Sequence, residues 1–251
     1  MSTTLKVLKR RALIPAILAI TAALLIGFTP FIPIGGQASA SAQDTGEKVI
    51  ALTFDDGPSL NGTPEVLDVL KKYDVKATFF LIGHNTNRHP ELARRIVNEG
   101  HQAAVHSFDH SYMLPFETPI QERHDANSAR NAIRNATDEA PLFYRPPHGR
   151  LTPVMRWTIS HDNFTMVKWN IETGDWKTSV GADAIKNQIL TKAKPGAIIL
   201  LHDGINKEND PDRREMLKAI DSAIPILQKE GYRFVTVSEL FHKAAYEKHT
   251  N

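Results

Sequence analysis

Two groups of residues in this sequence have the types and spacing to do chemistry. Asp55 and Asp56 are adjacent in Thr53-Phe54-Asp55-Asp56-Gly57-Pro58, directly after an apolar run, and His106 and His110 lie four residues apart in His106-Ser107-Phe108-Asp109-His110. Neighbouring carboxylates repel each other, so ionising both requires a compensating charge. A divalent cation supplies one, taking one carboxylate as a ligand and leaving the other to act as a base. The competing reading is a plain turn, for which Asp-Gly-Pro is well suited. The two histidines can face one ion if the segment turns helically after a strand. Two neutral imidazoles and one carboxylate leave coordination positions open for water and substrate, the pattern of a catalytic metal site. Two surface histidines are the competing reading in a chain that holds 11. Taken jointly, the pairs favour the ion.

Such residues need elements that bring them together. Strands are expected over 48–54, 77–82, 102–105, 142–144, 164–169, 197–201 and 232–237, where short apolar runs recur. Helices are expected over 63–73, 90–99, 119–136, 152–160, 182–192 and 216–229, and Ser238 is expected to cap a last one. The 119–136 helix, rich in charge and Asn, reads as exposed and solvated. This alternation implies right-handed βαβ units and a parallel sheet. The expected fold is α/β, a distorted (β/α) barrel of about seven parallel strands. Polar clusters follow the strands at Asp55-Asp56, at 106–110, 145–149 and 172–176, and at His202-Asp203, so the active site is expected at the C-terminal strand ends.

Composition narrows the function classes. The chain has 251 residues, 41% of them hydrophobic, and no cysteine, which excludes disulfides and thiolate metal sites. Lys6, Lys9, Arg10 and Arg11 are the only charges before Asp44, and removing those four takes the formal charge from +2 to −2. That balance leaves no electrostatic footprint for nucleic acid. The basic cluster precedes an uncharged apolar run from Ala12, and Ala38-Ser39-Ala40 offers small residues of the cleavage type. Residues 1–42 are therefore expected to be a signal peptide or an uncleaved membrane anchor, the only membrane contact envisaged, and 43–251 the catalytic domain of an exported protein. The oligomeric state is not fixed by the sequence, and a monomer is favoured.

Further segments make the pattern specific. Thr53–Pro58, His106-Ser107 with His110, Arg145-Pro146-Pro147-His148-Gly149, Gly174-Asp175-Trp176 and Leu200-Leu201-His202 occur in that order. The chain resembles the polysaccharide deacetylase family, carbohydrate esterase family 4, whose catalytic unit is the NodB-homology domain, over about residues 48–240. The resemblance implies that Asp56, His106 and His110 hold one divalent ion, zinc first, with Co2+ or Fe2+ suited to the same ligands. It implies that Asp55 is the general base acting on water at the metal and that Arg145 fixes its orientation and charge. His202 would be the general acid, with Asp175 orienting it and raising its pKa. Trp176 and Leu200 would wall a pocket for the acetyl methyl, Pro147 and His148 would face substrate, and the His148 N–H would help bind the oxyanion.

Three positions depart from the family pattern. His148 stands where an aromatic residue is more common, Glu172 where an aspartate is, and Asp109 where a small polar residue is. Histidines 84, 89, 101, 124, 161, 242 and 249 read as structural or solvated and Trp157 and Trp169 as core; Asp203, next to His202, is placed to touch the site, although a structural role is the favoured reading. The implied activity is metal-dependent hydrolysis of linear amide bonds, removing N-acetyl groups from a glycan of the peptidoglycan or chitin type. Two alternatives stand beside it, O-deacetylation of acetylated xylan and a noncatalytic carbohydrate-binding protein.

Overall fold

The computed structural model describes residues 47–111, 118–150, 152–205 and 212–248. The expected leader over 1–42 lies outside them, and among the described residues no helix is long and apolar enough to cross a membrane.

One strand organises the sheet. β1 (Lys48–Asp55) is eight residues long and nearly all buried. Along one edge it pairs with β7 (Ala197–His202). Along the other it is shared, its C-terminal half pairing with β2 (Thr78–Ile82) and its first residues with β8 (Tyr232–Phe234). The main path continues through β3 (Gln102–Ser107), β4 (Phe143–Tyr144) and β5 (Thr165–Met166) on one side and β6 (Ile171–Glu172) on the other, with every pairing parallel. Among the described residues the path holds seven strands, and β8 adds an eighth as the third partner of β1. The number on the path is the expected one, but β6 is not foreseen, and the strand expected over 232–237 is β8, off the path. The sheet curls into an open barrel.

Side-chain alternation then sorts the residues by face. Ile50, Leu52 and Phe54 of β1, Phe79 and Leu81 of β2, and Ile199 and Leu201 of β7 join the core beneath the helices. The alternate residues Ala51, Phe80, Ala104, Phe143 and Ile198 pack inside the curl. Thr53, Asp55, His106, Arg145, Leu200 and His202 share that inner parity, so the strands carry an apolar lower interior and a chemically reactive upper one.

The helices are α1 (Gly62–Lys72), α2 (Gly83–Arg88), α3 (Pro90–Asn98), α4 (Pro119–Thr137), α5 (Pro153–His161), α6 (Ala182–Lys192), α7 (Arg214–Lys229) and α8 (Val237–Leu240). Four expectations need correction. α2 is not foreseen because Gly-His-Asn-Thr-Asn-Arg has neither apolar periodicity nor high helix propensity. α4 is not a wholly solvated helix, since Ala126, Ala129, Ala132, Ile133 and Ala136 bury one face. Alanine gives only a weak hydrophobic signal but permits close approach, and a Cβ on Gly83 would lie 2.8 Å from the Ala129 Cα. The strand expected over 164–169 is only the two-residue β5, and β6, beyond the end of that span, is not expected; Trp169 falls between the two.

Finally, α8 is capped by Thr236 and not Ser238. The Thr236 hydroxyl accepts the Glu239 N–H at 3.2 Å, and the Glu239 carboxylate accepts the Thr236 N–H at 2.8 Å. Thr236→Ala is expected to lower unfolding free energy by about 1 kcal/mol, while Ser238→Ala stays within about 0.5 kcal/mol of wild type. Urea titration of both variants checks the assignment, and equal losses would return the cap to Ser238.

Candidate active site

Asp55 ends β1, and its register partners are His202 on β7 and Phe80 on β2. Arg145, directly after β4, is wholly buried and reaches across the curl. Its Nη1 donates to Asp55 Oδ1 at 2.6 Å and to Thr53 Oγ1 at 2.8 Å. Its guanidinium carbon lies 3.9 Å from the Phe80 ring centroid and 5.5 Å from that of Trp169. Burial lowers the Arg145 pKa, opposed by the charge of Asp55.

The second feature is the expected ligand cluster. One ligand atom from each of Asp56, His106 and His110 lies within 4.8 Å of the others. Asp56 Oδ1 is 3.3 Å from both His106 Nε2 and His110 Nε2, yet it is buried without a hydrogen-bond partner. The Arg145 carbonyl accepts from His106 Nδ1 at 2.8 Å, which fixes the tautomer and turns the Nε2 lone pair toward Asp56. A shielded carboxylate oxygen between two imidazole nitrogens fits a divalent ion. Burial opposes ionisation of Asp56, but the imidazoles, His106 foremost, outweigh it and hold the carboxyl well below the usual range. Burial and the neighbouring His106 charge bring His110 down to about 4, which favours the neutral, ligating form.

Backbone conformation aims these side chains. Asp56, His110 and His148 have φ of 71°, 54° and 57°, in the left-handed region that non-glycine residues seldom occupy. Each costs on the order of 1–3 kcal/mol, and such strain concentrates at functional sites. The histidine segment does not turn helically as expected. Instead Ser107 Oγ accepts the His110 N–H at 2.8 Å, and a left-handed residue swings the ring back over the cluster.

On the far side His202 donates from Nδ1 to Asp175 Oδ1 at 3.0 Å, while Asp175 Oδ2 accepts the His202 backbone N–H at 2.8 Å. Thr173 Oγ1 donates to the same carboxylate at 3.0 Å. Burial disfavours charge on His202, but Asp175, followed by Asp56 and Asp55, outweighs it and pushes the pKa up to about 9. Trp176 meets the His202 ring edge-on at 5.3 Å and Leu200 is buried below. Arg145 lies buried behind, while both of these residues line, with Asp55, Asp175, His202 and the cluster, one cavity of about 580 Å3. His148 lies on its wall, its ring 4.8 Å from that of His110 and nearly perpendicular, on the short turn Pro147–Gly149 in which Pro147 is buried.

Several residues are placed differently from expectation. Trp169 packs, half-buried, against the inner core cluster, but it is not core alone. It lines the cavity and would meet a Cβ on Gly149 at 2.7 Å. Trp157 is 37% exposed and packs on His161 with ring centroids 4.1 Å apart. It follows buried Met155 by two positions, about 200° around the helix. Asp109 lines a separate depression of about 650 Å3 beside α4. Buried His101 accepts the Ala77 N–H, a structural role as expected.

Asp203 takes the favoured structural role, as a buried brace behind the site. Its Oδ2 accepts from Thr63 at 2.5 Å and its carbonyl from Ser59 at 2.6 Å, while its N–H donates to the Asp55 carbonyl at 3.3 Å. Burial raises its pKa to about 7. The approach is so close that a Cβ on Gly57 would lie 2.4 Å from this carboxylate, and one on Gly204 2.0 Å from the Asp56 carbonyl oxygen. The sequence signal for it is its place in the His202-Asp203 cluster at the end of β7; the close approach of Gly57 and Gly204 leaves no sequence pattern.

A carboxylate paired with a guanidinium, facing an imidazole held protonated by another carboxylate, offers base and acid across one ligand cluster. That division defines a metal-dependent hydrolase. The profile described as "Polysaccharide deacetylase" matches residues 42–167. A peptidoglycan-N-acetylglucosamine deacetylase of Bacillus cereus is 36% identical over 88% of this chain and 78% of its own. The crystal structure of the Bc1960 peptidoglycan N-acetylglucosamine deacetylase in complex with an N-oxidanyl-benzamide superposes with a TM-score of 0.74 at 35% identity, covering 80% of this chain and 91% of that one. A family 4 acetyl xylan esterase from Clostridium thermocellum in complex with a cobalt ion gives 0.70 at 35% identity, over 78% and 91%. This chain belongs to the polysaccharide deacetylase family.

His106→Ala, His110→Ala and Asp56→Asn are each expected to lower metal content well below one ion per chain, because losing one of three ligands removes much of the binding energy. Asp55→Asn should keep the ion. Elemental analysis after dialysis measures this, and full occupancy in the histidine variants would refute the ligand set.

Proposed function

We propose that this chain is a metal-dependent N-deacetylase of glycans containing N-acetylglucosamine, of the peptidoglycan or chitin type. The observation that carries this reading is the Asp175–His202 pair facing Asp55 across the ligand cluster. An amide leaves as a strongly basic amine and must be protonated as the C–N bond breaks, so an acid that keeps its proton to about pH 9 suits it. The similarity to peptidoglycan-N-acetylglucosamine deacetylases supports the same substrate class. O-deacetylation of xylan is the second reading, favoured by the similarity to an acetyl xylan esterase. A paired base and a paired acid argue against a noncatalytic binding role.

A divalent ion held by Asp56, His106 and His110, zinc in this proposal with Co2+ and Fe2+ suited to the same donors, supplies Lewis acidity toward water and the acetyl carbonyl. Asp55 accepts the proton of the attacking water, and Arg145 keeps that carboxylate charged and aimed. Nδ1 of His202 is tied to Asp175, so the proton delivered to the leaving nitrogen is the one on Nε2. Leu200 and Trp176 wall the space for the acetyl methyl, buried Pro147 sets the turn that carries His148 rather than facing the cavity itself, and the His148 N–H stabilises charge on the carbonyl oxygen. Residues 1–42 act as signal or anchor and carry the catalytic domain out of the cytoplasm.

Acetate release from N-acetylglucosamine oligomers is expected, and a chelator should abolish it. His202→Ala should lower kcat/KM on the amide by at least about 100-fold but spare far more activity on an aryl acetate, whose leaving group scarcely needs a proton. Equal losses on both would remove His202 from the acid role.

His202 must be protonated to act, so the rate should fall as pH rises through about 9. Asp175→Asn removes the charge that raises this pKa and should move that fall to lower pH. An unmoved basic limb in the pH profile of kcat/KM would break the link between Asp175 and the acid.

A further inference from the structure

α2 touches both arms of the ligand cluster. Its first residues, Gly83-His84-Asn85, follow β2 directly. The His84 N–H donates to the Phe108 carbonyl at 2.8 Å, two residues ahead of His110, and a Cβ on Gly83 would lie 2.6 Å from the Phe108 ring. Nδ2 of Asn85 donates to the Asp56 carbonyl at 2.9 Å and to the Ile205 carbonyl at 3.3 Å. We propose that Asn85 is a positioning residue for the metal ligands, its side-chain amide holding the Asp56 peptide in the conformation that aims the carboxylate at the ion. The assignment rests on the ligand set proposed above.

Asp56 needs such a hold. Its φ of 71° lies in the left-handed region, where a residue with a Cβ persists only when its surroundings over-determine it. β1 ends at Asp55, so strand pairing no longer fixes the peptide that follows Asp56, and the next residue is a glycine that leaves this peptide free to rotate. The Gly57 carbonyl accepts the Ile82 N–H at 2.8 Å, which secures one side of the turn. Asn85 secures the other, at the carbonyl of the ligand residue itself.

An amide is the right group for this place. Both partners are carbonyl oxygens, so the NH2 end of the side chain faces the turn and spends its two protons there. The second bond ties the amide to Ile205, next to Gly204, which packs on the same Asp56 carbonyl. A carboxylate at this position would set oxygen against oxygen. Through the His84 N–H and the Asn85 amide, one short helix thus joins the turn that carries Asp56 to the segment that carries His110, and so sets the spacing of two ligands from distant parts of the sequence.

The test is the affinity of the full chain for Zn2+ at neutral pH, measured by competition with a chromophoric chelator. The visible spectrum of the Co2+-loaded protein and the thermal unfolding of the metal-free protein are recorded alongside. Asn85→Asp keeps the size of the side chain and removes the donors. By charge alone an added carboxylate near the cluster should tighten cation binding. Lost positioning should instead weaken it by about 10- to 100-fold, the usual effect of losing a residue that orients a ligand. The weaker binding is expected, with a similar loss in Asn85→Ala, which adds no charge, and an altered Co2+ spectrum in both. Asn87→Ala, exposed on the same helix, should keep the spectrum and an affinity within about twofold of wild type. Wild-type affinity and spectrum in both Asn85 variants overturn the proposal even if the metal-free protein unfolds at lower temperature, since Asn85 then serves stability alone. An equal loss in Asn87→Ala overturns it too, by moving the effect to the helix as a whole. Wild-type protein that binds neither ion overturns the ligand set and the role of Asn85 with it.

Discussion

The structure depends on a buried ion pair at the end of its central strand. Arg145 and Asp55 meet inside the curl with almost no water, and two of the three guanidinium nitrogens have no hydrogen-bond partner. Aromatic rings take the place of solvent, Phe80 close against the guanidinium and Trp169 further off. Severing such a pair typically costs about 3–5 kcal/mol, because the surviving charge stays desolvated. The same arginine lends its carbonyl to His106, so one residue sets the carboxylate and orients an imidazole of the cluster. A change at Arg145 therefore reaches two chemically different groups.

Charge balance around the cavity follows from this arrangement. Asp55 and Asp175 are each tied to a cationic partner, and Asp56 lies between imidazoles. Asp203, close behind, is buried with Thr63 as its hydrogen-bond partner and shifts toward the neutral form. Four carboxylates thus share a small region without four uncompensated charges.

Much of the site was legible in the sequence because its residues sit at strand ends, where hydrophobic periodicity stops and unusual polar side chains begin. The means of convergence was not legible. The His110 ring is aimed by a single left-handed residue, and a spacing of four suggests a helix just as readily. Trp169 and Asp203 depend on close approach between distant segments, which leaves no periodic trace. For the fold, β1, β2, β3 and β7 announce themselves by length, whereas β4, β5 and β6 are only two residues long and derive their identity from neighbours. α4 was found at nearly its full extent, but its buried alanines disguised its inner face.

The alternation of faces along β1 has a consequence for how the chain can change length. Leu52 and Phe54 point to the helices, and Thr53 and Asp55 point inward. Deleting or inserting one residue upstream within the strand would exchange these sets, turning the carboxylate into an apolar layer and two large hydrocarbons into the cavity. Such a shift cannot be repaired by a local rearrangement, since β7, β2 and β8 all read their register from this strand. Growth and loss of residues are thereby confined to the connections between strands, the segments that also form the rim of the cavity. The sheet's indel intolerance and the rim's freedom to vary are two results of the same period of two.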